Sequence, residues 1–147
     1  MSPIEEALQI IRTTPGYEET AKRLAKLAGN GRIRESPAIE DRAQAGLLGS
    51  ITLGPEAVES TPLSLAQTLV HEHYHLRQNP FLKTVSFWSG VFTRTPVMRR
   101  YEQPAYQAAV DFLEAVKSAH PDLAEEAGQE QRAVRHVFER DYDGILN

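Results

Sequence analysis

The stretch LVHEHYHLRQ, residues 69–78, decides the fold, because it fits either a strand or a helix. Histidines stand at positions 71, 73 and 75, and on a β-strand this alternation would place all three on one face. His71, Glu72 and His75 also spell His-Glu-x-x-His, in which the two histidines lie one turn apart on a helix. Choosing between strand and helix therefore decides which histidines act together.

The residues before the histidines favour the helix. Thr61-Pro62 offers a capping side chain followed by proline at the first helical position, and TPLSLAQTLV lacks strand alternation. At about 100° per residue, His71 and His75 fall about 40° apart on the polar side, facing a cleft, whereas His73 lies in the apolar arc. We therefore expect His73 to be a core histidine. The strand alternative would recruit all three histidines to one metal, as in cupin-like proteins.

The composition is typical of a single globular domain spanning residues 1–147. Apolar residues make up 41% and charged residues 24%, and the net charge of −4 argues against a nucleic-acid partner. No apolar run approaches the roughly 18 residues needed to cross a bilayer, so no membrane partner is predicted. The start MSPIEEALQI does not resemble a signal peptide. A cytoplasmic location is expected, unless a leader has been removed.

The order of predicted elements indicates an α+β fold. We expect two N-terminal helices, a small and mainly antiparallel sheet with an exposed edge strand, then the histidine-bearing helix and two C-terminal helices. Caps, prolines and glycines place the helices at about 2–13, 15–28, 61–79, 95–119 and 121–140, and the strands between Arg32 and Leu53.

The chain has no cysteine, so a metal must be held by His, Asp or Glu. In RRYEQPAYQAAVDFLEAV, Glu102 lies one turn before Tyr106 on an apolar stripe, where a carboxylate is costly unless a cation pairs with it. Glu102 is therefore the predicted third ligand beside His71 and His75. The alternatives are an ion pair with a nearby arginine, or a helix that begins only at Pro104 and leaves Glu102 in solvent.

Three such ligands suit Zn²⁺, which lowers the pKa of a bound water to about 7. Glu72 could take a proton from that water without ligating the metal. Tyr106 is a candidate to contact His71 or to stabilise an oxyanion, with packing in the core as the alternative and Tyr101 and Tyr142 as substitutes.

Two further groups have plainer interpretations. The aromatic residues of segment 81–92 are expected to seal the core under a connecting loop, although they could line a substrate pocket: Phe81, Phe87, Trp88 and Phe92. The small basic cluster is expected on the solvated surface, with binding of a substrate carboxylate as the alternative: Arg94, Arg99 and Arg100. His120 and His136 have no predicted role.

LVHEHYHLRQ followed by YEQPAYQ resembles the gluzincin metallopeptidases, and most closely their small single-domain members, the minigluzincins. The resemblance covers about residues 47–113. It implies a zinc peptidase with His71, His75 and Glu102 as ligands and Glu72 as general base. It also implies that the strand at Leu48–Leu53 is an edge strand to which an extended peptide or protein substrate adds. The alternative is a non-catalytic binding or regulatory module on the same scaffold, such as a phage or bacterial accessory protein.

Overall fold

A computed structural model describes residues 1–38, 42–46, 49–78, 96–142 and 144–147, without the side chains of 96–98. It confirms the α+β fold and the expected order of helices, sheet and helices. The helices are α1 (Pro3–Arg12), α2 (Glu18–Gly29), α3 (Pro55–Val58), α4 (Pro62–Arg77), α5 (Pro96–Ala119) and α6 (Ala124–Tyr142), with a 3-10 turn at Pro121–Leu123. The strands are β1 (Ile33–Glu35), β2 (Ala43–Ala45) and β3 (Ile51–Leu53).

The N-terminal helices begin as their caps dictate, with one exception. Ser2 and Glu5 form a capping box at the start of α1. The second helix begins at Glu18 rather than at Pro15, because the hydroxyl of Thr14 donates to the Ile10 carbonyl (2.7 Å). Thr14 therefore closes α1 instead of capping α2, and Gly16, with φ at 91°, turns the chain between them.

The sheet is mixed, with strand order β1-β3-β2. β1 pairs with β3 in parallel and β2 pairs with β3 antiparallel, so the expectation of a mainly antiparallel sheet holds for one of the two pairings. The expectation that Leu48–Leu53 forms an edge strand is wrong, since Ile51–Leu53 lies at the centre. Among the described strands, β1 and β2 are the edges, because the chain after β1 returns on the far side of β3.

Helix α4 runs through the middle of the domain. Thr61 caps it by accepting a hydrogen bond from the Ser64 N–H (3.1 Å). The apolar side is buried as expected, and His73 is buried with it. Ser64, Gln67 and Thr68 on the polar side are also buried, so the first half of that side packs against neighbouring elements. Because residues 71–75 lie within α4, the alternative in which the histidines lie on a strand is wrong.

Helix α5 continues through Pro104, so the alternative in which the helix begins at that proline is wrong. Its core stripe is buried: Ala105, Ala109, Val110, Phe112, Leu113 and Val116. This stripe holds α5 against α4 and α6, and Glu102 lies on the same helix, near its start. The last predicted helix is divided into the 3-10 turn and α6.

Several predicted features fall elsewhere. Phe81, Phe87, Trp88, Phe92 and Arg94 lie outside the described residues. Arg99 and Arg100 are exposed, as expected of solvated surface residues. Within the described part of the chain, no helix has both the length and the apolar character that crossing a membrane requires.

Candidate metal centre

Two helices bring three potential ligand atoms together. His71 and His75 project from successive turns of α4, and Glu102 projects from α5. The Nε2 atoms of His71 and His75 lie 3.2 Å apart, and the Glu102 Oε2 lies 3.3 Å from the first and 3.0 Å from the second. In the described part of the chain, these three residues form a group that could hold a metal ion. The structure therefore assembles the three predicted ligands at one point.

The spacing of these atoms is compatible with a tetrahedral metal ion such as zinc. In a tetrahedral site with ligands at about 2.0–2.1 Å, neighbouring donor atoms lie about 3.3 Å apart. The three observed separations cluster at this value, and two imidazoles with one carboxylate form a donor set that zinc accepts. Among the described residues, the ion-pair partners of the Glu102 carboxylate are the two histidines.

Gln78 determines which nitrogen of His75 carries the proton. The Gln78 amide Nε2 donates to the Tyr101 carbonyl (2.8 Å), which turns its Oε1 towards His75 Nδ1 at 2.6 Å. Because this oxygen can only accept, His75 Nδ1 must carry a hydrogen. A neutral His75 then presents the bare lone pair of Nε2 to the other two ligand atoms, as metal coordination requires.

This arrangement needs a positive charge at its centre. A lone pair of His75 Nε2 aimed at the Glu102 carboxylate is repulsive unless a proton or a metal lies between them. Burial lowers the pKa of His75, but the hydrogen bond and charge of Glu102 outweigh it and raise the pKa overall. Burial raises the pKa of Glu102, yet the hydrogen bonds of His71 and His75 bring it down to about 2. The centre thus attracts cations.

Glu72 lies beside the ligand set rather than within it. Its Oε1 is 3.9 Å from His71 Nε2, farther than any separation among the three ligand atoms. The carboxylate is buried, and the backbone N–H of Ala45 in β2 lies close to it. Burial raises the pKa of Glu72, against the charges of His71 and His75. Glu72 is therefore a more basic carboxylate than an exposed one, held at the edge of the sheet.

Tyrosines enclose the two imidazoles. Tyr106 packs edge-to-face on His71, with ring centroids 4.6 Å apart, and Tyr101 stacks on His75 at 4.3 Å. Tyr142 contacts Tyr106 at 5.9 Å and belongs to the layer behind it. Burial raises the pKa values of both Tyr101 and Tyr106, so both rings are neutral at ordinary pH. Tyr106 has the expected contact with His71, and its catalytic role stays a prediction.

Two contributors were not predicted from the sequence, namely Gln78 and Ala45. Gln78 lies three residues after His75 at the end of α4, a spacing that suggests contact with the preceding turn. The Ala45 amide carries no such signal, since its contact with Glu72 depends on the strand order.

Comparison with family models, curated proteins and solved structures found no match to the chain.

Proposed function

We propose that this protein is a zinc-dependent peptidase, an endopeptidase that hydrolyses extended peptides. The observation that carries the proposal is the convergence of His71, His75 and Glu102 at zinc spacing, with the buried Glu72 carboxylate alongside. A buried, basic carboxylate next to a metal ligand set is what hydrolysis by an activated water needs. The same set resembles the gluzincin pattern.

Each residue has a distinct task in this proposal. Bound zinc would supply Lewis-acid chemistry, polarising the scissile carbonyl and acidifying the attacking water. Glu72 would accept the proton of that water on its carboxylate and deliver it to the leaving amine. Burial, which raises the pKa of Glu72, supports both halves of this transfer. Tyr106 is the candidate donor for the developing oxyanion, because its ring already lies against His71.

The outer edge of β2 is the proposed substrate platform, in place of the central strand β3. Gly46 N–H donates to the Ser50 carbonyl (2.7 Å), and Gly54 N–H donates to the Arg42 carbonyl (2.8 Å). The backbone N–H and C=O groups of even-numbered residues in and next to β2 thus face β3. Those of Ala43 and Ala45 face away from β3. The outward N–H of Ala45 meets Glu72. A peptide strand added along this edge would compete with Glu72 for the Ala45 N–H and would therefore pass directly beside the general base.

Cleavage of an unfolded protein tests the proposal. Zinc-loaded wild type is expected to cut denatured casein. Glu72→Gln is expected to cut it more slowly, by a factor of about 100 at least. The variant should keep its zinc, because Glu72 is not a ligand. Equal cleavage by both proteins would contradict the proposal. So would an absence of cleavage by zinc-loaded wild type across several unfolded substrates.

A second candidate is a metal-binding module that cuts nothing. Its support is enclosure, since the His75 side chain is only 4% exposed and the Tyr101 ring covers it. The two candidates differ in whether a ligand from solution reaches the metal. A hydroxamate added to the cobalt-substituted protein should change its visible absorption if the site is open. An unchanged spectrum favours the module.

A further inference from the structure

Arg42, immediately before β2, forms a junction among three elements. Its Nε donates to the Thr68 Oγ1 (2.8 Å), its Nη2 donates to the Ser64 Oγ, and its Nη1 pairs with the Glu56 Oε1 (3.2 Å). Thr68 and Ser64 belong to α4, and Glu56 belongs to α3. The guanidinium therefore ties the start of β2 to the side of α4 that also carries Glu72.

The hydrogen-bond directions leave Arg42 a specific task. The hydroxyl of Ser64 donates its one proton to Glu130 of α6 (3.2 Å), and that of Thr68 donates to the Ser64 carbonyl (2.9 Å). Both hydroxyl oxygens can then only accept, and both side chains are buried. A planar group with several diverging N–H donors suits two such acceptors one helical turn apart, whereas a single ammonium does not.

The second point of contact between β2 and α4 is at Ala45. The register turns its N–H away from β3, and α4 packs against β2 so that this N–H lies close to the Glu72 carboxylate. From Arg42 to Ala45 an extended chain advances about 10 Å. From the midpoint of Ser64 and Thr68 to Glu72 a helix advances about 9 Å. The two attachments are therefore spaced alike on strand and helix, so β2 lies along α4 with one anchor at each end.

We propose that Arg42 is a positioning residue that fixes β2 along α4 and so keeps the Ala45 N–H on the Glu72 carboxylate. Its consequence for catalysis rests on the proposed peptidase function, because Glu72 and the outer edge of β2 are the parts it aligns. Its positioning of the strand does not depend on catalysis. Arg42 touches none of the three metal ligands in the described contacts, so zinc binding should not need it.

Amide hydrogen exchange of the zinc-loaded full chain tests the positioning directly. Arg42→Met should speed exchange of the Ala45 amide roughly tenfold or more relative to the Leu69 amide inside α4, with zinc still bound in equimolar amount. Arg34→Met is the matched control, because Arg34 is exposed on β1 at the other edge of the sheet. It should leave the ratio of Ala45 to Leu69 exchange unchanged.

Three outcomes would overturn the proposal. One is an unchanged ratio of Ala45 to Leu69 exchange in Arg42→Met, which would reduce the residue to general stability. Another is full Ala45 protection in Arg42→Lys, which keeps the charge but not the diverging donors. The third concerns peptide cleavage, where Arg42→Met should raise KM and lower kcat at constant zinc content; unchanged constants would remove the catalytic link. If wild type cleaves nothing, the peptidase proposal fails while the exchange ratio still decides the role of Arg42.

Discussion

His73 and His75 lie two residues apart on the same helix and are almost equally buried, at 6% and 3% exposure. Their pKa values nevertheless shift in opposite directions. Burial, helped by Arg77 and Arg23, lowers the pKa of His73 to about 4. For His75 burial acts the same way, but Glu102 and Gln78 reverse it and raise the pKa. The comparison teaches that the charged and polar groups facing a buried histidine, rather than its depth in the protein, decide the direction in which its pKa shifts.

Replacing each histidine by alanine should separate the two positions most strongly. His75→Ala removes a ligand, and we expect its zinc content to fall below about a tenth of equimolar. His73→Ala should bind zinc in equimolar amount, although a smaller side chain in the core will lower its stability. Elemental analysis after gel filtration measures the content, and circular dichroism verifies that each variant is folded. Equal zinc in both variants would remove the distinction between the two sides of α4.

Loss of Gln78 should weaken zinc binding without abolishing it. Gln78→Ala removes the acceptor that holds the proton on His75 Nδ1 and fixes the orientation of the ring. We therefore expect zinc affinity to fall about 10- to 100-fold. Gln67→Ala is the matched control, because Gln67 is a buried amide of α4 whose described hydrogen bond goes to Thr68 and not to a ligand. Competition with a chromophoric chelator measures both affinities. Equal losses would show that Gln78 acts only through the stability of the helix.

The pH dependence of stability should carry opposite signs for the two histidines in the metal-free protein. His73 has a folded pKa of about 4 against 6.5, so its contribution is complete above pH 6.5 and is lost as pH falls towards 4. His75 has a raised folded pKa, so its contribution is complete below pH 6.5 and is lost as pH rises through the folded value.

Urea unfolding of metal-free wild type and His73→Phe at pH 7 and pH 5 isolates the first contribution. Between these pH values wild type should lose roughly 1.5 kcal/mol more stability than the variant. The effect of His75 is common to both proteins and cancels in the difference. A larger loss for the variant would mean that His73 is charged in the folded protein.

The smallest effect is expected from the ring stacked on His75. Tyr101→Leu removes the stacking partner, and an aromatic pair contributes about 1 kcal/mol, which corresponds to roughly fivefold in zinc affinity. Tyr101→Phe keeps the ring and should match wild type within about twofold. Chelator competition reports both values. If phenylalanine behaves like leucine, the hydroxyl rather than the stack supports the site.

Much of the site could be predicted because its signals are local. The cap at Thr61 and the position of each histidine around the helix separate His73 from His71 and His75. Glu102 could be predicted because a carboxylate on an apolar stripe requires a partner. Each of these arguments uses residues within a few turns of one another.

The sheet could not be predicted to the same depth. Which strand lies at the centre depends on where the chain returns after β1, and the pattern of residues 47–54 is equally compatible with a central or an edge strand. The contact of Ala45 with Glu72 follows from that order. Arg42 likewise gains its meaning only from the hydroxyls of Ser64 and Thr68, more than twenty positions later.

The ligands lie on two helices, and 26 residues separate His75 from Glu102 in the sequence. A zinc ion held there would crosslink two helices that are far apart in the sequence. Metal occupancy and the folding equilibrium would then be linked, so the melting temperature should rise with free zinc and drop when a chelator is added. The concentration of free zinc would thereby set the fraction of this protein that stays folded.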